Sequence, residues 1–95
     1  MPAYLIAEVE VTDPAAYEEY RKLTPAAIAA YGGKFIVRGG KVESKEGGWT
    51  PSRLVVVEFA SMEQAQKFYD SPEYAPALAI RKAASKSRLI LADGL

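Results

Sequence analysis

An α+β domain in which two similar halves share one sheet is the fold this sequence predicts, and three observations predict it. Ala3–Val11 alternates in polarity, with Leu5, Ala7, Val9 and Val11 pointing one way and Tyr4, Ile6, Glu8 and Glu10 the other, the period of two that marks a half-buried strand. The run Val9-Glu10-Val11-Thr12-Asp13 returns later as Val57-Glu58-Phe59-Ala60-Ser61: strand end, spacer, helix cap, with Glu10 answering Glu58. After each helix comes another short strand, so the element order is βαββαβ.

The elements follow in order. Thr12-Asp13-Pro14 supplies an N-cap and a first-turn proline, which opens a helix through Tyr17, Tyr20 and Leu23 toward Tyr31. Pro25 is expected to interrupt that helix, with Thr24 recapping a second segment, and Gly32-Gly33 closes it with residues that tolerate positive φ. Lys34–Arg38 reads as the second strand, and the glycine- and charge-rich stretch from Gly39 to Pro51 as a loop or loose hairpin. The third strand runs from Arg53 to Phe59. Ser61-Met62-Glu63-Gln64 is a capping box that starts the second helix. This helix carries Ala65, Phe68 and Tyr69, breaks at Asp70-Ser71-Pro72 and restarts through Tyr74 and Leu78 to Ala84. Lys86–Ala92 is the last strand.

This is the split arrangement called ferredoxin-like, one domain over residues 1–95, with two interrupted helices on one face of a four-stranded antiparallel sheet. The first and third strands are expected to lie parallel at its centre. Leu5, Ala7, Val9, Val11, Val55, Val57 and Phe59 should face the helices, leaving Tyr4, Ile6, Leu54 and Val56 among Glu8, Glu10 and Glu58 on the other side. A solvated sheet face should be mostly polar, and this one is about half apolar. The simplest cover is a second copy related by a two-fold axis, which makes a homodimer.

Composition excludes several functions. Twelve basic residues balance twelve acidic ones, so the footprint of a nucleic-acid or anionic-membrane binder is missing. The one basic cluster, Arg81-Lys82 with Lys86 and Arg88, sits near a helix end, where cations complement the helix dipole. With no cysteine and no histidine, thiolate chemistry, the Ser-His-Asp triad and the common ligands of zinc, copper and haem are unavailable. No metal and no cofactor are expected, and Gly39-Gly40 lacks the spacing of a dinucleotide fingerprint. The opening MPAYLIAEVEV is too strand-like for a signal peptide, and no apolar run reaches membrane-spanning length. A soluble cytoplasmic protein is the expectation.

The opening AYLIAEVEVTDPAAYEEY, then YGGKFIVRGG, then SRLVVVEFASMEQAQKFYDSPEYAPALAIR together resemble bacterial domains of unknown function of the DUF1330 type, within the dimeric α+β barrel superfamily. The combination VRGG, VEF-x-S and YDSPEY in this order carries the resemblance over essentially the whole chain. It implies a homodimer whose sheets face each other, and it implies no particular reaction. The wider superfamily includes cofactor-free monooxygenases, lactone isomerases and haem enzymes, a kinship of fold alone. The family's polar pattern falls here on Arg38, Gly39, Gly40, Arg53, Glu58, Ser61, Tyr69, Ser71, Tyr74 and Arg81, while Lys34 stands where many members carry arginine.

Ser61 and Ser71 occupy cap positions, and Tyr17, Tyr20 and Tyr31 have the spacing of core residues with a wet hydroxyl. Trp49, in its glycine-rich loop, is a loop anchor, a flap over a cleft or an arm on a partner. Tyr69 and Tyr74 straddle the helix break and either pack or touch a ligand. Arg38 and Glu58 are the favoured pair: a β2–β3 connection centred near Gly47-Gly48 sets residues whose numbers sum to about 95 or 96 opposite one another. Such a pair is either a structural ion pair or a guanidinium, oriented by Glu58, that offers its remaining donors to a carboxylate or enolate, with Gly39-Gly40 allowing backbone approach. The expected ligand residues are therefore Arg38, Gly39, Glu58, Tyr69, Tyr74 and Arg81, with Arg38, Glu58 and Tyr69 as the catalytic candidates. One reading is a module binding a small anionic or oxygenated molecule between sheet and helices. The other is a cofactor-independent monooxygenase or isomerase with Glu58 as base, Arg38 as oxyanion stabiliser and a tyrosine as acid.

Overall fold

The computed structural model describes residues 1–95. Its elements are β1 (Ala3–Val11), α1 (Pro14–Ala30), β2 (Lys34–Arg38), β3 (Leu54–Phe59), α2 (Met62–Tyr69), α3 (Ala75–Ala84) and β4 (Ser85–Asp93). The strands form one sheet in the order β2-β3-β1-β4. Every neighbouring pair is antiparallel, which corrects the expectation that the first and third strands run parallel. The crossover through α1 brings β2 back in the direction of β1, and the connection to β3 then reverses the chain. Strand β3 must therefore run against β1.

Local signals account for most element ends. The Asp13 carboxylate accepts from the Ala16 N–H at 3.2 Å and the Ser61 hydroxyl from the Gln64 N–H at 3.1 Å. At the break between α2 and α3, the Ser71 hydroxyl donates to the Phe68 carbonyl at 2.7 Å and accepts from the Tyr74 N–H at 3.1 Å, so one side chain ends one helix and leads into the next. Gly33 is required for another reason: a Cβ there would lie 2.6 Å from Phe59 Cε1 and 2.9 Å from Ile28 Cγ2.

The first helix does not break. Pro25 lies inside one continuous 17-residue α1 and Thr24 is buried within it, where the sequence suggested an interruption and a new cap. Proline removes the hydrogen bond to the carbonyl four residues back, here that of Arg21, and its ring crowds that carbonyl. Burial of Thr24, Ala27 and Ile28 keeps the helix going, and the guanidinium Nη2 of Arg38 reaches toward the freed Arg21 carbonyl at 3.5 Å.

The core lies between the sheet and the helices, on Leu5, Ala7, Val9, Val57 and Phe59 from the strands and Tyr17, Ile28, Phe68 and Tyr74 from the helices. Val11 and Val55 are half-buried against it, so the inward set matches the one expected from alternation. On the outer face Tyr4 pairs across from Glu58, Ile6 from Val56 and Ile90, and Glu8 from Leu54 and Arg88. Ile90 remains 59% exposed.

Glu8 organises one end of that face. It accepts from the Trp49 indole N–H at 2.7 Å and from Arg88 Nε and Nη2 at 2.8 and 2.6 Å. These donors hold the Glu8 carboxyl below its ordinary range, the indole first and Arg88 next. A depressed carboxylate stabilises the fold fully above its unfolded value of about 4.3, and the contribution is lost as pH falls through the folded value. Emission from the single tryptophan should therefore step with a midpoint below that unfolded value, and Glu8→Gln should remove the step. A midpoint above it would contradict the assignment.

Candidate functional site: an arginine-rimmed cavity on the helix side of the sheet

Strand β2 sets the site through an irregularity. Phe35 lies opposite Val57, but the next pairs are Val37 with Val56 and Arg38 with Val55, leaving Ile36 as an extra residue in a β-bulge. An extra residue reverses the alternation beyond it. Arg38 therefore shares the inward face with Phe35 and Val55, and its guanidinium carbon sits 4.3 Å from the centre of the Phe35 ring.

The expected Arg38–Glu58 pair does not form. Glu58 lies opposite Lys34, not Arg38, on the outer face, where it accepts from the Tyr4 hydroxyl at 3.3 Å and stands 3.6 Å from Lys34 Nζ. The pairing rule failed because the 39–53 connection is irregular and the bulge adds a residue on one side only. On Tyr4, burial first and then Glu58 raise the phenol above its ordinary value.

Arg38 keeps different company. Arg21, Arg38 and Arg53 stand together around a cavity whose floor is Leu5, Ala7, Val55 and Val57 and whose roof is Tyr17, Ile28 and Phe68. Arg53 has its guanidinium 5.9 Å from the Tyr17 ring centre, and its buried Nε has no hydrogen-bond partner. Gly39 makes room for it: the backbone there has φ +71° and a Cβ would run into the Arg53 guanidinium. Arg21 is neutralised by Glu18 at 2.9 Å, whereas Arg38 and Arg53 have no carboxylate within 4.0 Å. With its open mouth the cavity measures about 470 Å³, of which about 30 Å³ admits the centre of a water molecule. A guest much larger than water needs the rim side chains to move.

Tyr20 and Tyr74 also line the cavity, and their hydroxyls lie 2.8 Å apart. Burial, and next to it Tyr74, push the Tyr20 phenol well above its ordinary value. Behind them Arg81 is only 4% exposed, bonded through Nη1 to the Ser87 hydroxyl, with a buried Nε that has no partner. Burial works against the Arg81 charge, but the neighbouring oxygens of Tyr74, Tyr20 and Tyr69 outweigh it and hold the group firmly protonated.

Of the residues singled out from sequence, Arg38 and Tyr74 line the cavity, Gly39 shapes its rim and Arg81 backs its tyrosine wall. Tyr69 packs on Tyr74 at 6.1 Å between ring centres and is not part of the lining, and Glu58 is on the far side of the sheet. Arg53 entered the sequence reading only through the family's polar pattern, and Tyr20 only as a core residue. The signal for Arg53 was its place at the start of a strand whose inward residues are otherwise apolar. No three acidic side chains come together as a possible metal ligand set, and no helix is long and apolar enough to cross a membrane.

Fold and site together define a small ferredoxin-like α+β domain with a cationic rim on an apolar cavity between sheet and helices. The sequence profile described as Domain of unknown function (DUF1330) matches residues 2–95, and the chain belongs to that family. No curated protein matches it in sequence. Among solved structures it is similar to a protein of unknown function from Rhodopseudomonas palustris, at 21% identity and TM-score 0.80, over 99% of this chain and 82% of that one. A dimeric ferredoxin-like protein of unknown function from Jannaschia sp. CCS1 shares 10% identity at TM-score 0.78, over 99% and 100% of the two chains. The cofactor-independent oxygenase SnoaB from Streptomyces nogalater shares 17% identity at TM-score 0.68, over 99% and 93%.

Proposed function

We propose that the protein is a homodimer, each copy of which binds a small organic anion in the cavity between sheet and helices. The observation that carries this reading is the pair Arg38 and Arg53, two guanidinium groups facing one apolar cavity with no carboxylate of the chain to neutralise them. Unpaired like charges on a low-dielectric rim favour an anionic guest, and a guanidinium meets a carboxylate with two parallel hydrogen bonds. The outer sheet face, half apolar and exposed at Ile90, suits a second copy, and the Jannaschia neighbour is itself described as dimeric.

A panel of small organic acids, screened by thermal shift, tests the binding half. At least one acid should raise the melting temperature of the parent. Because hydrogen bonds to charged groups contribute roughly 1.5–3 kcal/mol, Arg38→Met should weaken that acid about tenfold to a hundredfold. The exposed guanidinium of Arg38 leaves the unliganded melting temperature nearly unchanged on substitution. Equal shifts in the parent, Arg38→Met and Arg53→Met would remove the rim from the account.

The fold likeness to SnoaB favours a second reading, cofactor-independent oxygenation or proton transfer. Its weakness lies in the proton acceptor. No carboxylate lines the cavity, Glu58 faces away from it, and the Tyr20 hydroxyl is pushed away from ionisation. Binding is therefore the better-supported reading, and oxygen consumption with a bound acid would reverse that order.

A further inference from the structure

The cavity has a second polar feature besides its arginine rim. Tyr20 and Tyr74 both line it, and their hydroxyls meet at 2.8 Å. Two hydroxyls carry two donor hydrogens, and the bond between them uses one. Neither oxygen makes a further hydrogen bond, so one O–H is left without a partner in a lining whose other polar residues are the arginines and the buried Thr24. Arg81, close behind the pair, can only donate, and its buried positive charge favours an electron-rich atom on the cavity side of the hydroxyls. Arg81 is itself anchored on Ser87 and has no carboxylate partner.

We infer that the Tyr20–Tyr74 hydroxyl pair, backed by Arg81, is a recognition element for an acceptor oxygen of the ligand, so that the cavity takes oxo-acids: a carboxylate at Arg38 and Arg53, a carbonyl at the tyrosines, and an apolar span between. This rests on the anion-binding reading above and adds the second pole. A site built to hydrogen-bond an oxygen discriminates against the analogue that lacks it, because its own donor is then left unpaired.

Two matched pairs of probes separate the two ideas: levulinate with valerate, short and flexible, and para-formylbenzoate with benzoate, longer and rigid. Calorimetric titration of the folded parent should show at least one oxo-acid binding about fivefold or more tighter than its match, the size of one hydrogen bond of roughly 1 kcal/mol. Tyr20→Phe should reduce that ratio, and Tyr20→Phe with Tyr74→Phe should bring it to one. A purely structural role would lower the melting temperature and leave the ratio intact. If both members of each pair bind the parent equally, or the preference survives loss of both hydroxyls, the inference fails and the arginine rim stands. If none of the four acids binds, the anion-binding reading itself falls and takes the inference with it.

Discussion

Phe59→Ala should cost the domain about 3–5 kcal/mol, the range for removing a fully buried aromatic ring, which is a large share of the 5–15 kcal/mol that holds a typical domain together. Phe59 is fully buried, its ring centre is 5.2 Å from that of Phe68, and Phe68 in turn lies 4.5 Å from Tyr74. The ring also fills the space left by the missing side chain of Gly33, so the surrounding backbone has no larger group with which to close the cavity. Urea denaturation at fixed protein concentration should show the midpoint falling with little change in slope. A loss below about 1 kcal/mol would mean that this cluster relaxes far more than its packing implies.

If the protein is the proposed homodimer, Ile6→Asp should convert it to a monomer. Ile6 sits at the middle of the outer face between Val56 and Ile90, and a two-fold axis brings each substitution into the interface twice. Burying an unpaired carboxylate costs several kcal/mol per ion. Light scattering should fall from about twice 10.3 kDa to 10.3 kDa, while the circular dichroism spectrum is kept, because Ile6 points away from the helices. A parent that already scatters as a monomer at micromolar concentration would end the homodimer reading.

The sequence made the layers legible because their signals are local. The Asp13 and Ser61 caps, the Asp70-Ser71-Pro72 break and the inward set from Leu5 to Phe59 can each be read within a few residues, and the structure places them as read. The site was less legible because it depends on register. Whether Arg38 meets Glu58 or Arg53 turns on one bulged residue, Ile36, and on the path of an irregular loop, and neither leaves a mark in the alternation of five residues. Pro25 misled in the opposite sense: its cost is local and intrinsic, whereas the burial of Thr24 and Ile28 that overrides it belongs to the tertiary structure. Tyr20 and Arg53 show the same limit. Their side-chain types suit a core and a strand start, and only the assembled sheet shows that they border one space.

On the proposed reading of an anion on one face and a second copy on the other, the bulge at Ile36 would also couple the two faces of the sheet. Beyond it Val37 is on the outer face and Arg38 on the inner one; if β2 slipped into a regular ladder, the two would exchange places. An anion that holds the Arg38 guanidinium inside therefore also holds the Val37 side chain outside, and a partner sheet that buries Val37 favours the same register. Coupling of this kind is reciprocal. Ligand and second copy would each strengthen the other's binding, with the pairing register of a five-residue edge strand as the shared variable.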